Sequence, residues 1–404
     1  MNTRPPSFHV MAKPAGSKCN LACEYCFYLK KEGLYPESDF RMTAEVHETY
    51  IRDLFEAHRV PRVTVAWQGG EPTLMGLDFF RRSIALQRKY RKPGTHIENT
   101  IQTNGTLLDD EWCRFFYDHN FLVGLSLDGP RDLHDAFRKD RGGSGTFDRV
   151  IHAVRLLQQH GVEFNILCSV NSGNAAYPDE IYCFFRDVLD NRYIQFIPIV
   201  ERIDNSGLYG STSGDQVTGR SVRPDQWGEF LSVIFNKWVQ RDVGSTYVLN
   251  FDALLSSWVG GKSSFCIFSE RCGQAMALEH NGDLYSCDHF VDPEHKLGNI
   301  MRTPMHRLAA SEKQNRFGMD KSDTLPKICR NCEYLFACNG ECPKNRFIAT
   351  SEGESNLNYL CAGYKAFFKY VDKSMRIMAD LIRHGHAASE IISYPCARSN
   401  GGWQ

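Results

Sequence analysis

The sequence predicts an α/β protein, a six-stranded partial (β/α)6 barrel followed by a small cysteine-rich domain with a β-hairpin and a C-terminal helix. Three observations carry that prediction. Six short β-rich runs recur in the first half, separated by stretches with helical periodicity, which implies a parallel sheet with right-handed crossovers. The unusual residues cluster just after those runs, at carboxyl ends of strands, where barrel active sites are built; this favours a partial TIM-like barrel over an open doubly wound sheet. Beyond Gly261 the composition changes, and nine of the fifteen cysteines lie there.

The strand runs are "FHVMAKP" from Phe8, "RVTVAWQGG" from Arg62, "HIENTIQTNG" from His96, "FLVGLSLDG" from Phe121, "EFNILCSVN" from Glu163 and "YIQFIPIV" from Tyr193. Thr43 to His58 opens on a Thr cap and carries Val46, Tyr50, Ile51, Leu54 and Phe55 at helical spacing. Thr146 to His160, followed by Gly161, carries Val150, Ile151, Val154 and Leu157 in the same way. Arg202 to Arg223 is rich in Gly, Ser and Thr and reads as a long loop. Two helices are expected next, Asp225 to Val239 and Tyr247 to Val259. Asn281-Gly282 between alternating runs is a strong hairpin signal, and Ala362 to His384 reads as a closing helix. The expected division is 1–225 for the barrel, 226–260 for a helical connector, 261–361 for the cysteine-rich domain and 362–404 for the closing helix and tail.

A chain of 404 residues with formal net charge -1 and pI ≈ 6.9 has no electrostatic footprint for nucleic acid or an anionic membrane. The N-terminus has no uninterrupted apolar stretch of the secretory kind, and no later run approaches the roughly 20 apolar residues of a membrane helix. A cytoplasmic, reducing location is therefore expected, where cysteine spacing points to metal or catalysis before disulfides.

The stretch "GSKCNLACEYCFY" holds Cys19, Cys23 and Cys26. On an ideal helix they would share one face, as a buried stripe of small hydrophobes, and a plain zinc site is a second option. Pro14, Gly16, Ser17 and Asn20 favour a loop around a cluster. Three thiolates on a four-iron cluster leave one iron open to a ligand, as an open catalytic zinc does. The pattern "CxxxCxxCFY" after the first strand, with "GGEP" after the second, resembles the radical S-adenosylmethionine enzymes. The resemblance implies that the open iron is chelated by the amino and carboxylate groups of S-adenosylmethionine, whose reductive cleavage gives a hydrogen-abstracting 5'-deoxyadenosyl radical. It further implies that the backbone of Gly69 and Gly70 approaches the methionine moiety, with Glu71 placed for its ammonium. Tyr25 then lies beside the cluster, Ser126 on the fourth strand, Arg138 near the carboxylate with Arg141 as its alternative, and Ile199 near the adenine with Val200 as its alternative.

The run "CRNCEYLFACNGECP" has the spacing C-x2-C-x5-C-x3-C-P. One structural zinc on four cysteines is the simple reading. Eight cysteines from Cys266 to Cys361 would instead hold two four-iron clusters, and soft thiolates without a histidine at ligand spacing favour iron-sulfur. The region resembles the SPASM domain of peptide-modifying radical enzymes, where the last cysteine of the run crosses to the other cluster. That implies Cys266, Cys272, Cys287 and Cys342 at one auxiliary cluster and Cys329, Cys332, Cys338 and Cys361 at the other, making three 4Fe-4S clusters in all. Cys113, Cys168, Cys183 and Cys396 are left as buried or incidental.

If Cys287 faces its cluster from the second hairpin strand, Asp288 faces the opposite way, where the barrel mouth could lie. Capping a turn or pairing with a cation are equally open roles for it. Taken together, "KPAGSKCNLACEYCFYLKK", "WQGGEPTLMG", "IQTNGTLL", "LSLDGP", "YIQFIPIVE", "CDHFV" and "CNGECPKNR" resemble the anaerobic sulfatase-maturating enzymes. These oxidise a cysteine or serine in a Cys/Ser-x-Pro-x-Arg motif to Cα-formylglycine. The resemblance implies Asp288 as base, Tyr28 as a substrate-side residue, an unfolded or nascent sulfatase polypeptide as partner, and an electron donor such as flavodoxin or ferredoxin. An ordinary aspartate is a poor base for a thiol, so burial is expected to raise the Asp288 pKa and radical formation to acidify the thiol. The alternatives are a SPASM maturase that forms thioether or carbon-carbon crosslinks in a ribosomal peptide, and a non-catalytic zinc scaffold.

Overall fold

The computed structural model describes residues 7–203, 216–263 and 265–394; Cys396 and the middle of the Gly/Ser-rich loop lie outside the described residues. The six expected strands are present as β1 (His9–Lys13), β2 (Arg62–Trp67), β3 (His96–Thr103), β4 (Phe121–Ser126), β5 (Phe164–Val170) and β6 (Tyr193–Pro198), each pairing in parallel with the next. Helices between them pack their apolar stripes on the sheet. Ala44–Ala57 is capped by the Thr43 hydroxyl, which accepts the Val46 N–H at 3.3 Å, and buries Val46, Tyr50, Ile51, Leu54 and Phe55. Phe147–Gln159 buries Val150, Val154 and Leu157, and Gly161 follows it with φ +67°.

The sheet is larger than the six strands expected. Tyr247–Val248 form a short strand, β7, beside β6, so the expected helix begins at Leu249 instead. At the opposite edge the hairpin joins the same sheet as β8 (Ala275–Glu279), β9 (Asp283–Tyr285) and β10 (Lys296–Asn299). The order is β10-β9-β8-β1-β2-β3-β4-β5-β6-β7, with β8 parallel to β1 and Lys13 in register with Glu279. The cysteine-rich region is therefore built onto the first barrel strand. A small separate sheet pairs β11 (Arg346–Ile348) with β12 (Leu357–Asn358).

Two helices close the far side, Pro224–Arg241 and Cys361–Arg383. Glycines let them meet backbone to backbone: a Cβ on Gly363 would stand 1.9 Å from the Pro224 carbonyl oxygen, and one on Gly228 2.6 Å from that of Gly363. The helix Glu312–Asp323 had no signature in the sequence, because the side it buries is Gln314, Gly318 and Lys321 and not an apolar stripe. Among the described residues no helix is long and apolar enough to cross a membrane.

Candidate active site at the barrel mouth

The cysteine loop leaves the carboxyl end of β1 and is clamped by the loop after β2. The Gly16 carbonyl accepts the Gly70 N–H at 2.8 Å, and the Lys18 carbonyl accepts the Glu71 N–H at 2.9 Å. Only glycine permits this: a Cβ on Gly70 would lie 2.0 Å from the Lys18 oxygen, and Gly69 has φ +128° with the Gly16 oxygen 2.8 Å from its missing Cβ. The Glu71 carboxylate is fully buried and accepts from the Thr73 N–H (3.0 Å) and hydroxyl (2.6 Å), the Thr103 hydroxyl (2.8 Å) and the Asn104 N–H (2.8 Å). It thus ties the ends of β2 and β3 together. Asn104 in turn donates to Asn20 at 2.9 Å, and Arg141 donates to the Cys19 carbonyl at 2.8 Å, so both hold the loop's shape.

Asp128, fully buried after β4, gathers the next group. It accepts from the Tyr25 hydroxyl, from Arg138 Nε at 2.9 Å and from the Ser169 N–H at 2.9 Å. Arg138 also stands over the Tyr25 ring, 5.6 Å from its centre, and lies in electrostatic reach of Cys23. Arg138 is thus a buried cation already paired beside the cysteine loop, whereas Arg141 is exposed. Ser126 is buried at the end of β4; Ile199, just past β6, is half-buried, while Val200 packs into the core.

Asp288 stands opposite. β9 ends at Tyr285, and Cys287 opens a turn in which the Phe290 N–H donates to the Cys287 carbonyl at 3.0 Å, so strand alternation does not set the direction of Asp288. What sets it is an ion pair with Lys13 at the end of β1, both side chains being buried. Lys13 also donates to the Gln68 side-chain oxygen at 3.0 Å and sits 4.6 Å from the centre of the Tyr28 ring, and the Tyr28 hydroxyl donates to Glu279. The expected rise in the Asp288 pKa is not found. Burial does push it up, but Lys13 and His289 outweigh burial and hold the carboxyl below its ordinary value. Sequence reasoning missed Lys13, Gln68 and Glu279 and gave Asp128 no role of its own; their common signal is a polar residue at the carboxyl end of a strand.

The thiols fall into three groups by electrostatic proximity. Cys19 interacts with Cys23 and Cys26; Cys342 with Cys266, Cys272 and Cys287; and Cys361 with Cys329, Cys332 and Cys338. Burial pushes Cys19 up to about 12 and Cys23 and Cys361 up to about 11. Buried thiols of this kind ionise when a metal supplies the compensating charge. Among the described residues no three His, Cys, Asp or Glu side chains converge on a point that would hold one ion. Thiolate sets of this kind, without histidine, suit an iron-sulfur cluster. Cys113 and Cys168 are buried in the barrel core and Cys183 is half-buried.

The profile of the radical SAM superfamily matches residues 14–172, and that of the SPASM iron-sulfur cluster-binding domain matches residues 266–333. Fold and site together thus define a radical SAM oxidoreductase with a SPASM iron-sulfur domain. The chain is 46% identical over 391 residues to the serine-type anaerobic sulfatase-maturating enzyme of Bacteroides thetaiotaomicron, covering 95% of this chain and 94% of that one. It is 36% identical over 370 residues to the cysteine-type enzyme of Clostridium perfringens strain 13, covering 90% and 96%. The structure of native anSMEcpe with bound AdoMet and Kp18Cys peptide superposes with TM-score 0.82 at 34% identity, over 93% of this chain and 99% of that one. The chain belongs to the family of anaerobic sulfatase-maturating enzymes.

Proposed function

We propose that this enzyme oxidises a cysteine or serine in a Cys/Ser-x-Pro-x-Arg motif of an unfolded or nascent sulfatase to Cα-formylglycine. The observation that carries the reading is the meeting of the Cys287-Asp288 turn with the three-cysteine loop, through Lys13, at the carboxyl ends of β1 and β8. In this reading Cys19, Cys23 and Cys26 hold one 4Fe-4S cluster. The loop at Gly69, Gly70 and Glu71, with Tyr25, Ser126, Arg138 and Ile199, lines the S-adenosylmethionine site. The cluster with its bound S-adenosylmethionine supplies the one-electron chemistry that removes a β-hydrogen from the target residue.

The chain's own residues do the rest. Lys13 keeps Asp288 ionised and therefore able to accept the thiol or hydroxyl proton. The gap between an aspartate below about 3.9 and a thiol near about 8.5 opposes that transfer in the resting substrate. The proton therefore moves only once loss of the β-hydrogen has made the thiol or hydroxyl more acidic. Tyr28 lines the approach. The two further sets, Cys266, Cys272, Cys287 and Cys342, then Cys329, Cys332, Cys338 and Cys361, would hold auxiliary clusters, which would supply a further site for one-electron chemistry. Flavodoxin or ferredoxin is the proposed external electron donor, and the cytoplasm the proposed location.

The test is an anaerobic assay of peptides carrying each motif, read by mass spectrometry. Formylglycine is a loss of about 18 mass units from the cysteine peptide or about 2 from the serine peptide. Asp288→Asn should abolish the aldehyde while S-adenosylmethionine cleavage persists. An undiminished aldehyde yield would refute the role given to Asp288, and a crosslinked peptide would refute the product.

A further inference from the structure

Two buried cations in the cysteine-rich region have no carboxylate at ion-pair distance among the described residues. Arg346, at the start of β11, spends its guanidinium on backbone carbonyls: Nε on Gly340 (2.8 Å), Nη1 on Lys321 (2.5 Å), and Nη2 on Asn339 (2.7 Å) and Glu341 (3.1 Å). Lys321 Nζ donates to the carbonyls of Cys266 (2.9 Å) and Ile267 (2.8 Å) and is 1% exposed as a residue. The Glu341 carboxylate, in electrostatic reach of both, is turned to the amides of Asn345 and Asn358.

A buried cation without a counter-ion is costly unless something anionic completes it. Both cations are bonded to the backbone of the cysteine segments: Lys321 to the Cys266 carbonyl, and Arg346 to the carbonyls of Asn339, next to Cys338, and of Glu341, next to Cys342. Lys321 lies in reach of Cys266, Cys272 and Cys342, all in one set. Arg346 lies in reach of Cys272 in that set and of Cys338 and Cys329 in the other. Gln314, Gly318 and Lys321 share one face of the helix Glu312–Asp323. Gln314 donates to the Gly273 and Ser286 carbonyls, and the Gly318 carbonyl accepts the Cys272 N–H at 3.2 Å, so this helix laces the first set together.

We propose that Arg346 and Lys321 are the fixed positive charges that set the reduction potentials of the auxiliary clusters, Arg346 acting on both and Lys321 on one. This rests on the ligand sets given above. A four-iron cluster on four thiolates is anionic and gains a further negative charge on reduction, so a neighbouring cation favours the reduced form. Net charge and hydrogen bonding around a cluster are what move its potential. Neither residue touches substrate; both are positioning residues.

The experiment uses the full chain with Cys19, Cys23 and Cys26 replaced by Ala, reconstituted anaerobically and titrated by EPR, so that only auxiliary signals remain. This parent should bind about eight irons. A lower count overturns the ligand reading, and the proposal with it. Given full loading, Lys321→Gln should move one midpoint to a more negative value by at least a tenfold change in the reduction equilibrium, 59 mV for one electron, and leave the other in place. Arg346→Gln should move both, and Arg346→Lys should show little of that shift because the charge returns, although without the fork of hydrogen bonds. Should Arg346→Gln fail to load, Lys321→Gln decides alone. Unmoved midpoints in loaded Lys321→Gln, or a shift confined to one cluster in loaded Arg346→Gln, would overturn the assignment.

Discussion

Replacing Gly70 by alanine should empty the first cluster site and spare the other two. The added Cβ would lie 2.0 Å from the Lys18 carbonyl oxygen, 2.5 Å from its carbon and 2.7 Å from the Ser17 carbonyl carbon. All three are backbone atoms, so no side chain can swing aside. The two loops must part by more than about 1 Å to reach ordinary contact, which forfeits the Gly70 to Gly16 and Glu71 to Lys18 hydrogen bonds. Two such bonds at about 1 kcal/mol each, with about 1–3 kcal/mol for overpacking, put the local cost near 3–5 kcal/mol. That is enough to displace Cys19, one residue beyond Lys18, without exceeding the roughly 5–15 kcal/mol by which a folded domain is stable. The assay is iron content and EPR after anaerobic reconstitution. The variant should fall from about twelve irons to about eight, with the auxiliary signals retained and S-adenosylmethionine cleavage lost. Gly219→Ala is the control, since nothing lies within 4 Å of its missing Cβ. Full iron loading with undiminished cleavage in Gly70→Ala would refute the idea that the clamp shapes the cluster loop.

Two further outcomes follow from packing and burial. Gly363→Ala should lower the denaturation midpoint of the holoenzyme by the equivalent of about 3 kcal/mol, because its Cβ would meet the Pro224 oxygen at 1.9 Å and separate the two closing helices; an unchanged midpoint would show that the helices shift freely. Burial holds His47 at about 3 and His134 at about 4 against an ordinary 6.5, so the unfolded chain takes up protons that the native one refuses. The stability these two contribute is full above pH 6.5 and should fall by about 2 kcal/mol each between pH 6.5 and 5, measured by anaerobic denaturant titration, with a flatter profile in His47→Phe.

The barrel was legible because several of its strands end in residues that cannot be there for packing alone: Gly69-Gly70 after β2, Asn104-Gly105 after β3 and Asp128-Gly129 after β4. The cysteine groups were legible from spacing. Less visible was the way the parts join. Nothing in the alternation of β8 says that it pairs with β1, because a parallel partner far away in sequence leaves no local mark. The four hydrogen bonds by which Glu71 also binds loop to loop left no mark in the sequence. The helix Glu312–Asp323 was silent because it buries polar side chains on backbone carbonyls. Asp288 was placed by an alternation argument that fails, since β9 has already ended, and the residue that truly places it is an unremarked lysine of the first strand.

That lysine shows why the hairpin has to belong to the barrel sheet. Lys13 and Glu279 are register partners across β1 and β8, so the end of β1 and the end of β8 are held at strand spacing, about 4.8 Å. From the first end springs the loop with Cys19, Cys23 and Cys26; the second carries Glu279, and the hairpin it opens leads on to the turn with Cys287 and Asp288. A cysteine-rich domain tethered by a linker would leave the separation of these two loops to the linker's fluctuations, and a misplacement of about 1 Å is enough to cost about a hundredfold in rate. Sheet register removes that freedom. The ion pair then completes the junction: Lys13 pairs with the buried Asp288 carboxylate and favours its ionised form, while the ring of Tyr28, held by Glu279, packs against the lysine. The low basicity this imposes on Asp288 is the counterpart of its fixed position, and under the proposed reaction it predicts that a resting thiol keeps its proton until the carbon beside it has been oxidised.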